Sequence, residues 1–360
     1  MKKTLFALAA CATLTMAGAA NAQSNVTFYG LIDAFYENTS NVPSGTGATA
    51  TRGTVNRISS SGMNTSRWGL RGNEDLGNGL KAVFQLESGF LLDTGTQDTP
   101  MFKRQANVGL EGNFGRVVIG RTFTTVYDFV VSFDPMAYAQ YYSWAVASNG
   151  SLSNKMGMAT AFDNTIKYSG GVGAFKYGVS YGVGEVAGNT SDAAKLSSAA
   201  TYEFGPVTLL ATFEKINGTT VAAIRNRDKT TAVHLGAIYA NGPLKIQAVA
   251  RDYKLDPAAA GAADVKGTLY WAGVNYQTTP AITLTGVVYH LDVKNVAANT
   301  DADPTLYVAR LKYALSKRTD LYSAVSYAKA RNGKLVSMSR DEAGGADKQR
   351  GLTAGIQHRF

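Results

Sequence analysis

The segment Leu352-Thr353-Ala354-Gly355-Ile356-Gln357-His358-Arg359-Phe360 decides the fold. Strand side chains alternate with a period of two. Leu352, Ala354, Ile356, His358 and Phe360 therefore share one face, and Thr353, Gly355, Gln357 and Arg359 share the other. Domain ends are commonly frayed and poorly ordered. Here an alternating strand runs to the last residue. Such a strand suits a closed barrel, in which the last strand pairs with the first, and Phe360 reads as a signal for barrel-assembly machinery. Both features point to a bacterial outer membrane.

The other end of the chain agrees. Lys2 and Lys3 precede an apolar stretch from Leu5 to Met16, and Ala20-Asn21-Ala22 is a small-x-small cleavage site before Gln23. Residues 1–22 are thus expected to be a secretory signal peptide, with 23–360 forming one barrel domain. Cys11, the single cysteine, lies in the leader, so no disulfide is expected. The formal net charge of the whole chain is +9. No later stretch reaches the ~20 apolar residues of a membrane helix, whereas a barrel strand is apolar only at every second position.

Alternating runs fill the chain between these ends, and their connections come in two kinds. Short turns rich in Gly, Asn and Pro occur at Leu76–Gly79, Glu111–Gly115, Ser169–Gly173, Phe204–Pro206, Asn241–Pro243, Thr278–Pro280 and Ser316–Arg318. They carry hairpin chemistry. Longer polar connections are read at about 38–62, 91–101, 123–161, 184–194, 217–228, 254–265, 292–303 and 331–348. Strict alternation of the two kinds predicts sixteen strands in an all-β, antiparallel transmembrane β-barrel, with short turns at the periplasmic end and long loops outside. A soluble β-sandwich also alternates apolar and polar residues, but it predicts neither this alternation of connections nor a terminal Phe.

Individual runs fix the orientation. Val207, Leu209, Ala211 and Phe213 oppose Thr208, Thr212 and Glu214, while Leu244, Ile246, Ala248 and Ala250 oppose Lys245, Gln247 and Arg251. Turning Lys245 or Arg251 to lipid would cost about 2–4 kcal/mol each near the midplane. The apolar faces are therefore expected outside and the polar faces in a wet lumen.

Residues 123–161 form the longest connection and contain Tyr127, Phe129, Phe133, Tyr138, Tyr141, Tyr142 and Trp144. An aromatic loop of this length makes a poor exposed surface. It is expected to fold into the lumen as a constriction. Charges there set ion preference. Arg67, Arg71 and Lys167 take inward parity on their strands, and Asp128, Asp134 and Asp163 sit on or beside the loop where they would oppose them. Tyr138, Tyr141, Tyr142 and Trp144 are candidates for a contact track.

Ser66-Arg67-Trp68-Gly69-Leu70-Arg71-Gly72 and its continuation to Glu87 closely resemble the trimeric general porins of β-proteobacteria, the Burkholderia/Neisseria type. So do Val26–Gly30, Val108–Gly115 with Gly120-Arg121, and the ending Gly355–Phe360. The resemblance implies a homotrimer, an inward third external loop and passive diffusion of small hydrophilic solutes. It also implies a ladder of basic residues, matched here by Arg67, Arg104 and Lys167, that prefers anions. Arg104 shares parity with Val108 and Leu110, which simple alternation would place on the lipid face. His358 departs from the aromatic more common at that position.

Three histidines and no cysteine beyond the leader leave no expected transition-metal site, cofactor or catalytic group, and an exported barrel makes nucleic acid a remote partner. The basic balance suits anionic solutes and the phosphates of lipopolysaccharide among outer-membrane lipids. Two other readings stand beside the diffusion pore. One is a channel selective for a small aromatic or aliphatic carboxylate. The other is a surface adhesin or structural barrel.

Overall fold

The computed structural model describes residues 25–44, 51–148 and 156–360, so the leader expected at 1–22 lies outside the described residues. Sixteen barrel strands follow in chain order. They are β1 (Asn25–Ser44), β2 (Thr51–Ser60 and Arg67–Gly77), β3 (Leu80–Leu91), β4 (Gln105–Gly112), β5 (Gly115–Phe123), β6 (Ala161–Val172), β7 (Phe175–Gly182) and β8 (Lys195–Phe204). The second half comprises β9 (Val207–Asn217), β10 (Lys229–Asn241), β11 (Leu244–Asp256), β12 (Val265–Gln277), β13 (Ile282–Lys294), β14 (Thr305–Ala314), β15 (Thr319–Lys329) and β16 (Lys348–Arg359). Each strand pairs antiparallel with the next in sequence.

The barrel closes where the terminal segment predicts. β16 pairs with β1 from Leu31↔Arg359 to Thr39↔Gly351. Two further bonds join the last residue to Gly30: the Gly30 amide donates to the Phe360 carbonyl at 3.0 Å, and the Phe360 amide donates to the Gly30 carbonyl at 3.1 Å. The Phe360 ring lies over Gly30, where a β-carbon would come within 2.2 Å of it.

Six of the seven short turns fall where the sequence places them; the turn expected at 169–173 lies at 173–174, because β6 stays paired with β7 as far as Val172↔Phe175, and among the long connections the first external one departs most. The expected loop at 38–62 is mostly strand, because β1 continues to Ser44 and β2 starts at Thr51. Its polar composition hides the pairing, since both strands carry Asn, Ser and Thr. β2 is also interrupted at 61–66, shifting the register from Ala34↔Ser60 to Leu31↔Arg67.

Burial follows the predicted faces in an order opposite to a soluble protein. Leu209, Phe213, Leu235 and Ile246 are exposed on the outer wall, whereas Thr212, Glu214, His234, Gln247 and Arg251 are buried inside it. The inner side chains are covered because the long connection between β5 and β6 packs upon them. That connection supplies Val126, Phe133, Met136, Tyr142 and Trp144 to the main apolar cluster.

Candidate functional site

The inward connection starts with a short helix, α1 (Thr125–Val130), capped by Thr124, whose hydroxyl accepts from the Tyr127 amide at 3.0 Å. A helix start leaves amides without partners. Wall hydroxyls supply them: Ser180 on β7 accepts from the Thr125 amide at 3.1 Å, and Ser197 on β8 accepts from the Val126 amide at 2.9 Å. The far end leaves carbonyls free. Lys245 and Gln247 on β11 each donate to the Ser132 carbonyl at 2.9 Å, and the Trp271 indole on β12 donates to the Phe133 carbonyl at 3.0 Å.

The rest of the loop continues round the same wall. Trp144 donates to the Met338 carbonyl at 3.0 Å, and Tyr142 reaches Thr353 on β16. Arg251, fully buried on β11, holds the returning limb by donating to the carbonyls of Ala145 at 2.5 Å, Val146 at 3.2 Å and Met156 at 2.7 Å. The loop thus lines β7 to β16, and open space remains against β2 to β5. Above the narrowing, a cavity of about 370 Å³ is lined by Arg104, Arg121, Phe123, Tyr127, Gln140 and Arg340, among others. Below it, about 250 Å³ is lined by Gln85, Asn107, Arg116, Asp128 and Lys167, among others.

Between these spaces stands a charge cluster centred on Glu87 of β3. The Arg104 guanidinium donates to one carboxylate oxygen at 2.6 Å, Arg67 lies 3.6 Å from the other, and the Tyr29 hydroxyl donates to that second oxygen at 2.8 Å. Two guanidiniums share one carboxylate, leaving a net positive charge. Arg71 adds to it with its guanidinium 5.0 Å from the Tyr29 ring centroid, a cation–π arrangement. Arg104 escapes the parity rule because it precedes β4, which begins at Gln105, so no bulge is required. Its guanidinium also sits 5.0 Å from the Phe123 ring centroid.

Other expected residues separate into two groups. Lys167 and Asp128 do meet, as an ion pair in which Lys167 also donates to the Phe123 carbonyl at 2.9 Å. Asp163 lies at the loop end of β6, paired with Arg121 and largely exposed, so it belongs to the mouth rather than the narrowing. Asp134 does not oppose the basic wall. It is buried and accepts from the Tyr138 amide at 2.7 Å, the Met136 amide at 3.2 Å, the Ser143 hydroxyl at 2.7 Å and the Tyr289 hydroxyl, holding the bend in which Ala137 and Tyr138 take positive φ. Tyr138, Tyr142 and Trp144 are also buried, while Tyr141 is partly exposed. The expected aromatic track is mostly packing, because apolar rings gain more against the wall than in a wet pore.

Sequence reading passed over two acidic residues that organise the site. Glu87 has inward parity and lies inside the quoted motif, and that signal was sufficient to find it. Asp33 is the lone acid in the apolar run Leu31–Phe35. It is buried on β1 and accepts from the amides of Gly62 at 3.0 Å, Met63 at 3.0 Å and Asn64 at 2.9 Å. Tyr322 donates to it at 2.7 Å and Gln357 at 3.1 Å. Asp33 therefore fixes the interruption of β2 immediately before Arg67.

Comparison with known proteins agrees with this fold. A family model described as Gram-negative porin matches residues 7–333. Outer membrane porin protein 32 of Delftia acidovorans is 30% identical, with both chains covered completely. An outer membrane porin protein of Bordetella pertussis is likewise 30% identical over the full length of both. The solved structure of an anion-selective porin from Comamonas acidovorans superposes with a TM-score of 0.77 at 25% identity, covering 94% of this chain and 100% of that one. A closed sixteen-strand barrel, full-length porin relatives and the family match lead to one conclusion: the chain belongs to the Gram-negative porin family and is a channel-forming barrel of the bacterial outer membrane.

Proposed function

We propose that the pore is a general diffusion channel for small hydrophilic solutes that prefers anions. The observation carrying this reading is the sharing of Glu87 by Arg67 and Arg104, with Arg71 beyond them free of any carboxylate partner among the described residues. Lys167 extends the basic wall, although Asp128 offsets much of its charge. The name of the Comamonas relative as an anion-selective porin supports the same sign. In bulk-water dielectric a unit charge ~6 Å from a permeating ion contributes about 0.7 kcal/mol, or about threefold in local ion concentration. The double variant Arg67→Gln/Arg104→Gln is expected to lose most of the anion preference in planar-bilayer reversal potentials. An unchanged ratio would contradict the assignment.

The reading includes a homotrimer, removal of residues 1–22, and no catalysis or cofactor. An outward aromatic patch supports the trimer: Phe28 lies 6.2 Å from Trp68 and 5.7 Å from Phe360, and Trp68 lies 6.4 Å from Phe102, all between ring centroids. Native mass of the purified protein tests both assembly and processing. Three copies starting at Gln23 are expected; a monomer or a retained leader would contradict the respective claim.

A carboxylate-selective channel is a second reading, favoured by Arg104 over Phe123 at the head of the narrowing. Saturable current block by one carboxylate would support it, and no block at high concentration would remove it. An adhesin or plugged structural barrel is opposed by the open spaces on both sides of Glu87, and liposome swelling with small sugars tests it. Permeation excludes the plug.

A further inference from the structure

On the periplasmic side of the inward loop lies a niche, away from the open path along β2 to β5. It encloses about 420 Å³ between the underside of α1 and the wall of β7 to β11. Phe129, Ser132 and Phe133 form its ceiling, and Thr208, Ile238 and Ala240 line its back. A β-carbon at Gly178 would come 3.6 Å from the Phe129 ring, and one at Gly236 would come 3.4 Å from the Phe133 ring. Both rings therefore pack directly on the wall, and Ile238 is buried behind them. Lys245 closes the far lip and is engaged with the Ser132 carbonyl at 2.9 Å.

The near lip carries one charge of each sign. Lys176 on β7 lies opposite Thr201 on β8, and Glu203 stands two residues further along β8. Diagonal neighbours of this kind sit ~7–8 Å apart. Lys176 shares parity with the buried Ser180, and Glu203 with the buried Ala199, so both face the lumen. Both are exposed, and among the described residues neither forms an ion pair. The carboxylates nearer the narrowing differ: Glu87 is held by Arg104, and Asp128 by Lys167.

We propose that this niche binds a free α-amino acid with a large apolar side chain. Its carboxylate accepts from Lys176, its ammonium donates to Glu203, and its side chain lies under Phe129 and Phe133 against Ile238. A simple anion would meet Glu203, a simple cation would meet Lys176, and a sugar would leave the apolar ceiling unused. A zwitterion with an apolar body satisfies all three. Both charges of an α-amino acid hang on one carbon, which suits a cation and an acid on neighbouring strands. Burial of the side chain supplies the driving force, and the two charges orient the molecule. Asp128 lines both the niche and the space below the narrowing, so the occupant sits beside the conduction path. The site is separate from the Glu87 cluster, and the proposal is independent of the pore's ion preference.

The test titrates the folded full-length protein in detergent with L-phenylalanine by isothermal titration calorimetry. Three analogues follow: phenylacetate lacks the ammonium, phenethylamine lacks the carboxylate, and glycine lacks the apolar body. The wild type is expected to bind phenylalanine saturably and each analogue roughly tenfold more weakly or worse. Lys176→Gln and Glu203→Gln, both at exposed positions, are each expected to lose a similar factor. Thr208→Phe fills the niche while leaving both charges in place, and is expected to abolish binding. The double variant Arg67→Gln/Arg104→Gln is expected to bind as the wild type does. The proposal is overturned if no saturable binding is seen, if phenylacetate matches phenylalanine, or if any of the three niche variants binds normally. It is equally overturned if the arginine variant loses as much as they do, which would move the site to the Glu87 cluster. Reversal potentials on the same preparations report separately on the anion preference.

Discussion

Single residues in this porin act by holding others in place. Asp33 is the clearest example: five donors converge on one buried carboxylate, and the chain they fix leads directly into Arg67. Leaving a buried donor unpaired costs about 1–3 kcal/mol. Asp33→Ala is therefore expected to destabilise the folded barrel by roughly that amount or more in urea titrations, and to weaken ion preference through a misplaced Arg67. Wild-type stability and selectivity in the variant would remove this role. Parity along a strand made Arg67, Arg71 and Lys167 legible in the sequence, because period two admits only two directions. It misled for Arg104, which stands just outside β4, and it was silent on Asp134, Tyr138 and Tyr142, whose positions depend on wall residues far away in the chain.

At the level of elements, closure and loop anchoring separate cleanly. Deleting Phe360 removes two backbone bonds to Gly30 and the ring contact with Phe28, while leaving Glu87 and its partners untouched. Assembly yield is expected to fall sharply and single-channel conductance in surviving barrels to stay at the wild-type value; normal yield would count against the closing role. The external loops 183–194 and 218–228 are joined by Asp192, which accepts from the Thr220 hydroxyl at 2.7 Å and amide at 3.0 Å and pairs with Arg227. Hydrogen bonds from Thr220, then the Arg227 charge, hold its carboxyl below the ordinary carboxylate range. A depressed folded value gives stabilisation that is complete above the unfolded value, about 3.9, and lost as pH falls through the folded one. Hydrogen exchange at the Thr220 amide, corrected for intrinsic rate, should be slow from neutrality to about pH 5 and accelerate only below the ordinary carboxylate range. Acceleration near neutrality would contradict the clamp. Turn chemistry made fifteen connections countable, yet the strand content of 38–62 was hidden by polar residues, since hydrogen-bond pairing across β1 and β2 leaves no apolar trace.

For the whole molecule, the barrel puts apolar residues outside and polar ones inside, and the inward loop then covers most of the inner wall. What remains open runs along β2 to β5, past a cluster in which positive charge exceeds negative. The class of the channel was legible from alternation and the terminal strand. The proposed sign rests on how Glu87 is shared, a contact between three strand regions that only the folded chain assembles. The most direct test is the zero-current potential of the wild-type channel in a planar bilayer bathed by a KCl gradient. An anion-directed potential is predicted, and a cation-directed one would contradict the account.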